Sequence, residues 1–132
     1  MSISLYSERR AKVKKSRILL VEDDLSINKL VVDFLTKNSY EVVTVTDGPE
    51  AIEHIRNFGL PHITLIDLSL PSMHGFELAS KIKSMADVPI VFVTSTSDTD
   101  TVVQGLKKYA EDFIVKPFDV RELEARVQVV LA

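Results

Sequence analysis

Leu65-Ile-Asp-Leu-Ser-Leu-Pro-Ser-Met-His-Gly75 is the stretch from which the fold is read. An apolar run from His62 to Ile66 ends on a single carboxylate, Asp67, and both Pro71 and Gly75 follow closely. A run bounded by breakers in this way predicts a buried strand that stops at Asp67 and opens into a loop. In an open α/β sheet, ligands and chemistry gather outside the carboxyl ends of the strands. Asp67 is therefore a candidate nucleophile or metal ligand, and its partners are to be sought in the neighbouring segments.

Before this stretch, Arg17-Ile-Leu-Leu-Val21 is another short apolar run, ending abruptly on Glu22, Asp23 and Asp24. From Ser26 the period changes, with Ile27, Leu30, Val31, Phe34 and Leu35 on one predicted helical face that runs to about Lys37. Glu41–Val45 restores strand character and meets the turn signal Asp47-Gly-Pro49. Glu50 to Phe58 predicts a second helix, with Ala51, Ile52 and Ile55 inward and Gly59-Leu-Pro61 as its stop. After Asp67, a third helix is expected from Phe76 to Met85, with Phe76, Ala79 and Ile82 on its inner side. Pro89–Val93 reads as a fourth strand and Thr101–Lys108 as a helix weakened by Gly105, which costs about 1 kcal/mol relative to alanine. Asp112–Val115 is a fifth strand ending at Lys116-Pro117. A last helix is capped by Asp119, with Val120, Leu123, Val127 and Val130 inward. Strand and helix thus alternate five times over short loops. This rhythm predicts an α/β fold, a doubly wound five-stranded parallel sheet flanked by five helices.

Composition bounds the chemistry. At 132 residues the chain fits one domain with a single core. The absence of cysteine excludes thiolate chemistry, disulfides and cysteine-ligated zinc. No apolar run reaches the roughly 18 residues of a membrane span, and no signal-peptide stretch opens the chain, so a cytoplasmic location is expected. The net charge of −3 hides an asymmetry: residues 1 to 17 carry six basic side chains and one acid, +5, leaving −8 on the remainder. Residues 1–16 are read as a solvated, poorly ordered basic extension and residues 17–132 as the domain. An acidic domain of this kind is not expected to bind nucleic acid directly.

Four of the five predicted strands end on a group that can take part in chemistry: Glu22 and Asp23, Asp67, Thr94, and Lys116. A parallel sheet brings all of these ends to one edge. Carboxylates packed together repel unless a cation joins them, and all-oxygen ligands with open positions suit Mg²⁺. A lysine and a threonine hydroxyl add donors for anionic oxygens. A metal, a carboxylate nucleophile and two donors describe a site that moves a phosphoryl group onto Asp67. Taken singly, each piece also has a plainer reading: the acids as helix caps, Asp67 and Thr94 as turn residues, Lys-Pro as a strand stop. Their joint occurrence at four strand ends favours the site.

These segments resemble the receiver domain of bacterial two-component response regulators. The likeness spans Arg17 to Leu131 and rests on Arg17-Ile-Leu-Leu-Val-Glu-Asp-Asp24, Asp67-Leu-Ser-Leu-Pro-Ser-Met-His-Gly75, Val91-Phe-Val-Thr94 and Asp112-Phe-Ile-Val-Lys-Pro-Phe118. The resemblance implies a flavodoxin-like fold in a regulatory phosphoacceptor, not an enzyme acting on outside substrates. By that likeness Asp67 accepts a phosphoryl group from a phosphohistidine on a sensor kinase or phosphotransfer protein. Asp23, Asp67 and the backbone carbonyl of Ser69 would ligate Mg²⁺, with Glu22 acting mainly through water. Thr94 and Lys116 would bind phosphoryl oxygens, and Phe113 would occupy an aromatic switch position coupled to the helix around Gly105. The likeness also implies a cis peptide before Pro117. Ile27, Pro117 and Phe118 match positions that meet the phosphodonor.

The C-terminal segment, Lys116 to Arg126, looks like receivers attached to winged-helix DNA-binding domains, which dimerise through the fourth helix, fifth strand and fifth helix. Asp112 and Arg126 suit one charge pair of that face, whereas Val102 and Lys107 do not supply the others. His74, Tyr109 and Ser95 depart from the family's usual residues, and His74 is read as a solvated loop histidine. Two alternatives stand beside the receiver reading: an aspartyl-phosphate hydrolase of the haloacid dehalogenase type and a receiver-like interaction module that is not phosphorylated. The first wants a second acid where Ser69 stands, and the second does not require the intact set Asp23, Asp67, Thr94 and Lys116.

Overall fold

The computed structural model describes residues 15–132, and the reading of the basic extension lies almost entirely outside them. Strands β1 (Arg17–Val21), β2 (Glu41–Val45), β3 (Ile63–Ile66), β4 (Ile90–Thr94) and β5 (Asp112–Val115) form one sheet in the order β2-β1-β3-β4-β5. Every pairing is parallel. Helices α1 (Leu25–Lys37), α2 (Gly48–Phe58), α3 (Gly75–Met85) and α4 (Thr99–Lys108) provide the crossovers and, with α5 (Val120–Leu131), cover both faces. The chain leaves β1 toward β2 on one side and returns to β3 on the other. That reversal opens a crevice above the ends of β1 and β3, where doubly wound sheets hold their ligands.

Alternate residues of a strand face opposite sides, so β1 sends Ile18 and Leu20 to one layer and Leu19 and Val21 to the other. Val31 and Leu35 of α1 and Leu123 and Val127 of α5 fill the first layer. Ala51, Ile52 and Ile55 of α2 and Leu78, Ala79 and Ile82 of α3 fill the second. Burial on both faces is why β1, β3 and β4 read as nearly continuous apolar runs instead of alternating ones.

Helix boundaries differ from the expected ones in a consistent direction. The starts expected at Ser26, Glu50, Phe76 and Thr101 lie at Leu25, Gly48, Gly75 and Thr99. In each case a capping side chain sets the first turn before the apolar period begins: Asp24, Asp47, His74 and Asp98 accept hydrogen bonds from the backbone N–H of the residues that follow. Strand β4 runs from Ile90 to Thr94 instead of from Pro89 to Val93, because proline brings no N–H to the ladder. Strand β3 begins at Ile63, one residue after His62.

One core assignment is corrected. Leu30, expected on the inner face of α1, is 53% exposed, and the buried stripe is Asn28, Val31 and Leu35. Ile27 and Phe34 pack only partly against the same core. Val120 and Val130 of α5 are likewise half-buried, while Leu123 and Val127 are inward as expected.

Candidate functional site

The register of the sheet builds the site. Val21 of β1 lies opposite Ile66 of β3, so Glu22 and Asp67 leave neighbouring strands at the same level. The Asp67 N–H donates to the Val21 carbonyl at 3.0 Å and the Glu22 N–H to that of Val45 at 3.0 Å, which extends the ladder into both acidic segments. Across β4 and β5, Thr94 pairs with Val115, and the Lys116 N–H donates to the Thr94 carbonyl at 2.8 Å. Lys116 thereby emerges at the same edge. Its bond to Pro117 is cis, as the resemblance implies.

Three carboxylates, on Glu22, Asp23 and Asp67, offer oxygens within 4.8 Å of one another; the first and last are buried and Asp23 faces solvent. Lys116 Nζ reaches over them, 2.5 Å from Glu22 Oε1 and 3.1 Å from Asp67 Oδ2. Only the Asp67 contact has hydrogen-bond geometry. Glu22 Oε1 is held by the ammonium as a close ion pair. Asp67 Oδ1 accepts from the Ser69 N–H at 3.0 Å, so a donor stands on each of its oxygens. Burial pushes the Glu22 carboxyl up to about 7; Lys116 pulls it back, and the adjacent Asp67 raises it further. Burial also works against the charge on Lys116, but the Glu22 and Asp67 carboxylates prevail and hold its pKa above the ordinary lysine value.

A family model for the response regulator receiver domain matches residues 18–128. The chain belongs to this receiver domain family. It is 37% identical over 114 residues to the DNA-binding response regulator MtrA of Mycolicibacterium paratuberculosis, covering 86% of this chain and 50% of that protein. It is 36% identical to a Guillardia theta protein named "Probable transcriptional regulator ycf27", covering 89% of this chain and 46% of the relative. The chain thus spans about half the length of the curated relatives it matches. Among solved structures, the BeF3-activated N-terminal receiver domain of Klebsiella pneumoniae RstA superposes with TM-score 0.82 at 30% identity, covering 88% of this chain and 98% of that one. A CheY-like receiver domain protein from Methanospirillum hungatei gives TM-score 0.84 at 28% identity, covering 89% and 94%.

Receiver domains bind Mg²⁺, and the acidic edge of this one fits such an ion. The donor set is all oxygen and holds three carboxylates, two of them buried. The triplet after β1 divides its roles. Asp24 is the cap of α1, accepting from the Ser26 N–H at 2.9 Å and the Ile27 N–H at 3.2 Å, while Glu22 and Asp23 join the cluster.

The receiver's remaining expected residues take these places. Thr94 is 1% exposed, and its Oγ1 accepts from the Thr96 N–H at 3.2 Å. Phe113 is buried, with its ring centroid 5.1 Å from that of Phe92, in a chain of rings that continues through Phe76 to Tyr109. Ile27 and Phe118 are half-buried against the α1–α5 layer, and Pro117 is exposed. Arg126 pairs within the chain, at 2.9 Å from Asp112 and 3.2 Å from Glu122.

Sequence reading missed three supports of the receiver site. Asn28 Nδ2 donates to the Glu22 carbonyl at 2.8 Å and ties the acidic segment to α1. Its signal is a polar residue at the helical position that the buried stripe requires. His74 is exposed and precedes the helix, as read, but it also caps α3, its Nδ1 accepting from the Phe76 N–H at 3.0 Å. Gly75 lets α3 approach the segment after β3, since a Cβ there would lie 2.8 Å from the Asp67 carbonyl oxygen and 2.8 Å from Leu68 Cα.

Proposed function

We infer that this receiver domain is the phosphoacceptor of a two-component system and that Asp67 carries the phosphoryl group. The observation that carries the reading is the carboxylate trio with Lys116 donating to Asp67 Oδ2 at 3.1 Å. Asp67, with a donor on each carboxylate oxygen, is the nucleophile. One of its oxygens attacks the phosphorus of a phosphohistidine; a P–O bond forms, the P–N bond breaks, and the imidazole keeps the electron pair. Asp23, Asp67 and the Ser69 carbonyl would hold Mg²⁺, with Glu22 in support. When bound, the ion offsets the negative charge of the phosphoryl oxygens and the carboxylates. Lys116 and the Thr94 hydroxyl bind phosphoryl oxygens. The reaction is self-limiting: one phosphoryl group is taken up and held, so the domain is a regulator and not an enzyme for outside substrates.

The signal leaves through packing. Thr94 turns toward the phosphoryl group, the segment after β4 follows, and Phe113 shifts against α4. Phe113 has no hydroxyl, so no hydrogen bond fixes its rotamer. The exposed Val103, Leu106 and Val115 support α4–β5–α5 as the output and homodimer face. Ile27, Pro117 and Phe118 meet the histidine kinase or phosphotransfer protein. By likeness to relatives named transcriptional regulators, the output is DNA binding by an effector.

The test is incubation with Mg²⁺ and acetyl phosphate, read by intact mass. One phosphoryl adduct is expected in the native protein and none in Asp67→Asn. An adduct that persists in Asp67→Asn, or none in the native protein with Mg²⁺ present, overturns the assignment.

A further inference from the structure

A groove of about 480 Å³ runs between α2 and α3, on the opposite side of the sheet from α1 and α5. Its lining includes Pro49, Ile52 and Arg56 from α2, Lys81 and Met85 from α3, and Met73 from the segment before α3. The wall positions recur at helical spacing, 49, 52 and 56 on one side and 81 and 85 on the other. Two neighbouring helices therefore present a furrow of the kind that accepts the ridge of a third. The apolar part is Pro49, Ile52 and two methionines, and Met85 is 41% exposed. Unbranched thioethers adapt to many apolar shapes, which suits a binding floor better than a rigid core.

The rim is cationic on an otherwise acidic domain. Arg56 pairs with no carboxylate among the described residues. Lys81 meets only Glu77 of its own helix, at 3.8 Å with both side chains more than half exposed, a contact of little strength. One cation stands on each wall beside the apolar floor. We propose that this groove docks an amphipathic helix of a partner protein whose apolar stripe is flanked by carboxylates. The stripe covers Ile52, Met73 and Met85, and the carboxylates meet Arg56 and Lys81. This surface is separate from the phosphodonor and α4–β5–α5 faces, and docking does not require phosphorylation of Asp67.

Met73 and Met85 both line the groove, so methyl-labelled protein gives two reporters in it. The probe is a synthetic helix of about 15 residues, long enough to be stable as a helix, with leucines at i, i+3, i+4 and i+7 and glutamates beside them. The unphosphorylated full chain is titrated with this helix and with the same helix carrying lysines in place of the glutamates. The Met73 and Met85 signals are expected to shift with the acidic helix, and the basic helix binds at least roughly tenfold more weakly. Arg56→Glu combined with Lys81→Glu reverses the preference; both positions are exposed, and an unchanged melting temperature verifies folding. The absence of any shift at millimolar peptide, equal affinity for the two helices, or an unaltered preference in the double variant overturns the proposal. A native dimer that the double variant dissociates also overturns it, by placing a second copy of the chain in the groove.

Discussion

Glu22 is 1% exposed beside Asp67, and burial pushes its carboxyl up to about 7 from an ordinary 4.5. The folded chain therefore holds this proton more tightly than the unfolded chain does. Stability tied to it is fully present below the unfolded value and is lost as pH rises through about 7. In metal-free protein the urea midpoint should fall between about pH 5 and about pH 7.5, and Glu22→Gln should flatten that fall because it has no proton to lose. A native midpoint that rises across this window, or an equally steep fall in Glu22→Gln, would contradict the assignment. The sign matters to the proposed chemistry as well. An uncomfortable carboxylate next to Asp67 is relieved by a cation, so the feature that weakens the metal-free fold favours the ion.

Helix α4 shows two local effects opposing each other. By helix propensity alone Gly105→Ala should stabilise by about 1 kcal/mol. In the fold, however, a Cβ at 105 would lie 2.5 Å from Phe113 Cε2, 2.7 Å from Cζ and 3.0 Å from Phe76 Cε1. Overpacking of this kind costs about 1–3 kcal/mol, so the net effect is expected to be a loss. Thermal denaturation decides it: Gly105→Ala should melt lower than the native protein, and Gly105→Ala with Phe113→Leu should recover part of the loss. A single variant that melts higher would show that the ring yields freely. The glycine thus has a meaning at the level of the helix that its sequence position conceals. It seats the ring proposed to move in signalling against the backbone of the helix proposed to move with it.

For the molecule as a whole, the acidic edge joins two strands and a crevice that exist only when the sheet is assembled. An ion bound there stabilises the folded state alone, by about 2.7 kcal/mol at a concentration 100 times its dissociation constant. The melting temperature of the receiver domain should climb with added Mg²⁺ and level off as the site fills. Asp23→Asn, which removes the solvent-facing carboxylate of the cluster, should largely abolish that climb while leaving the metal-free fold intact. An equal climb in both proteins would place the ion elsewhere. No helix among the described residues is long and apolar enough to cross a membrane.

The amino-acid sequence by itself determined the five strand-and-helix units, their order and a candidate residue at four of the five strand ends. These follow from periodicity and from breakers, which are local and survive without knowledge of the partner strand. The parallel sheet was legible for the same reason, since strands buried on both faces leave runs at Ile63–Ile66, broken only by Thr64, and at Ile90–Val93. Only tertiary structure decided that Leu30 faces solvent and Asn28 the core, because the inner face of a helix is set by what it packs on. Tertiary structure also made His74 a cap and Gly75 a point of close approach. Glu22, Asp67 and Lys116 come from segments far apart in the chain. Their distances of 2.5 and 3.1 Å depend on the registers of β1 with β3 and of β4 with β5, which no local pattern encodes.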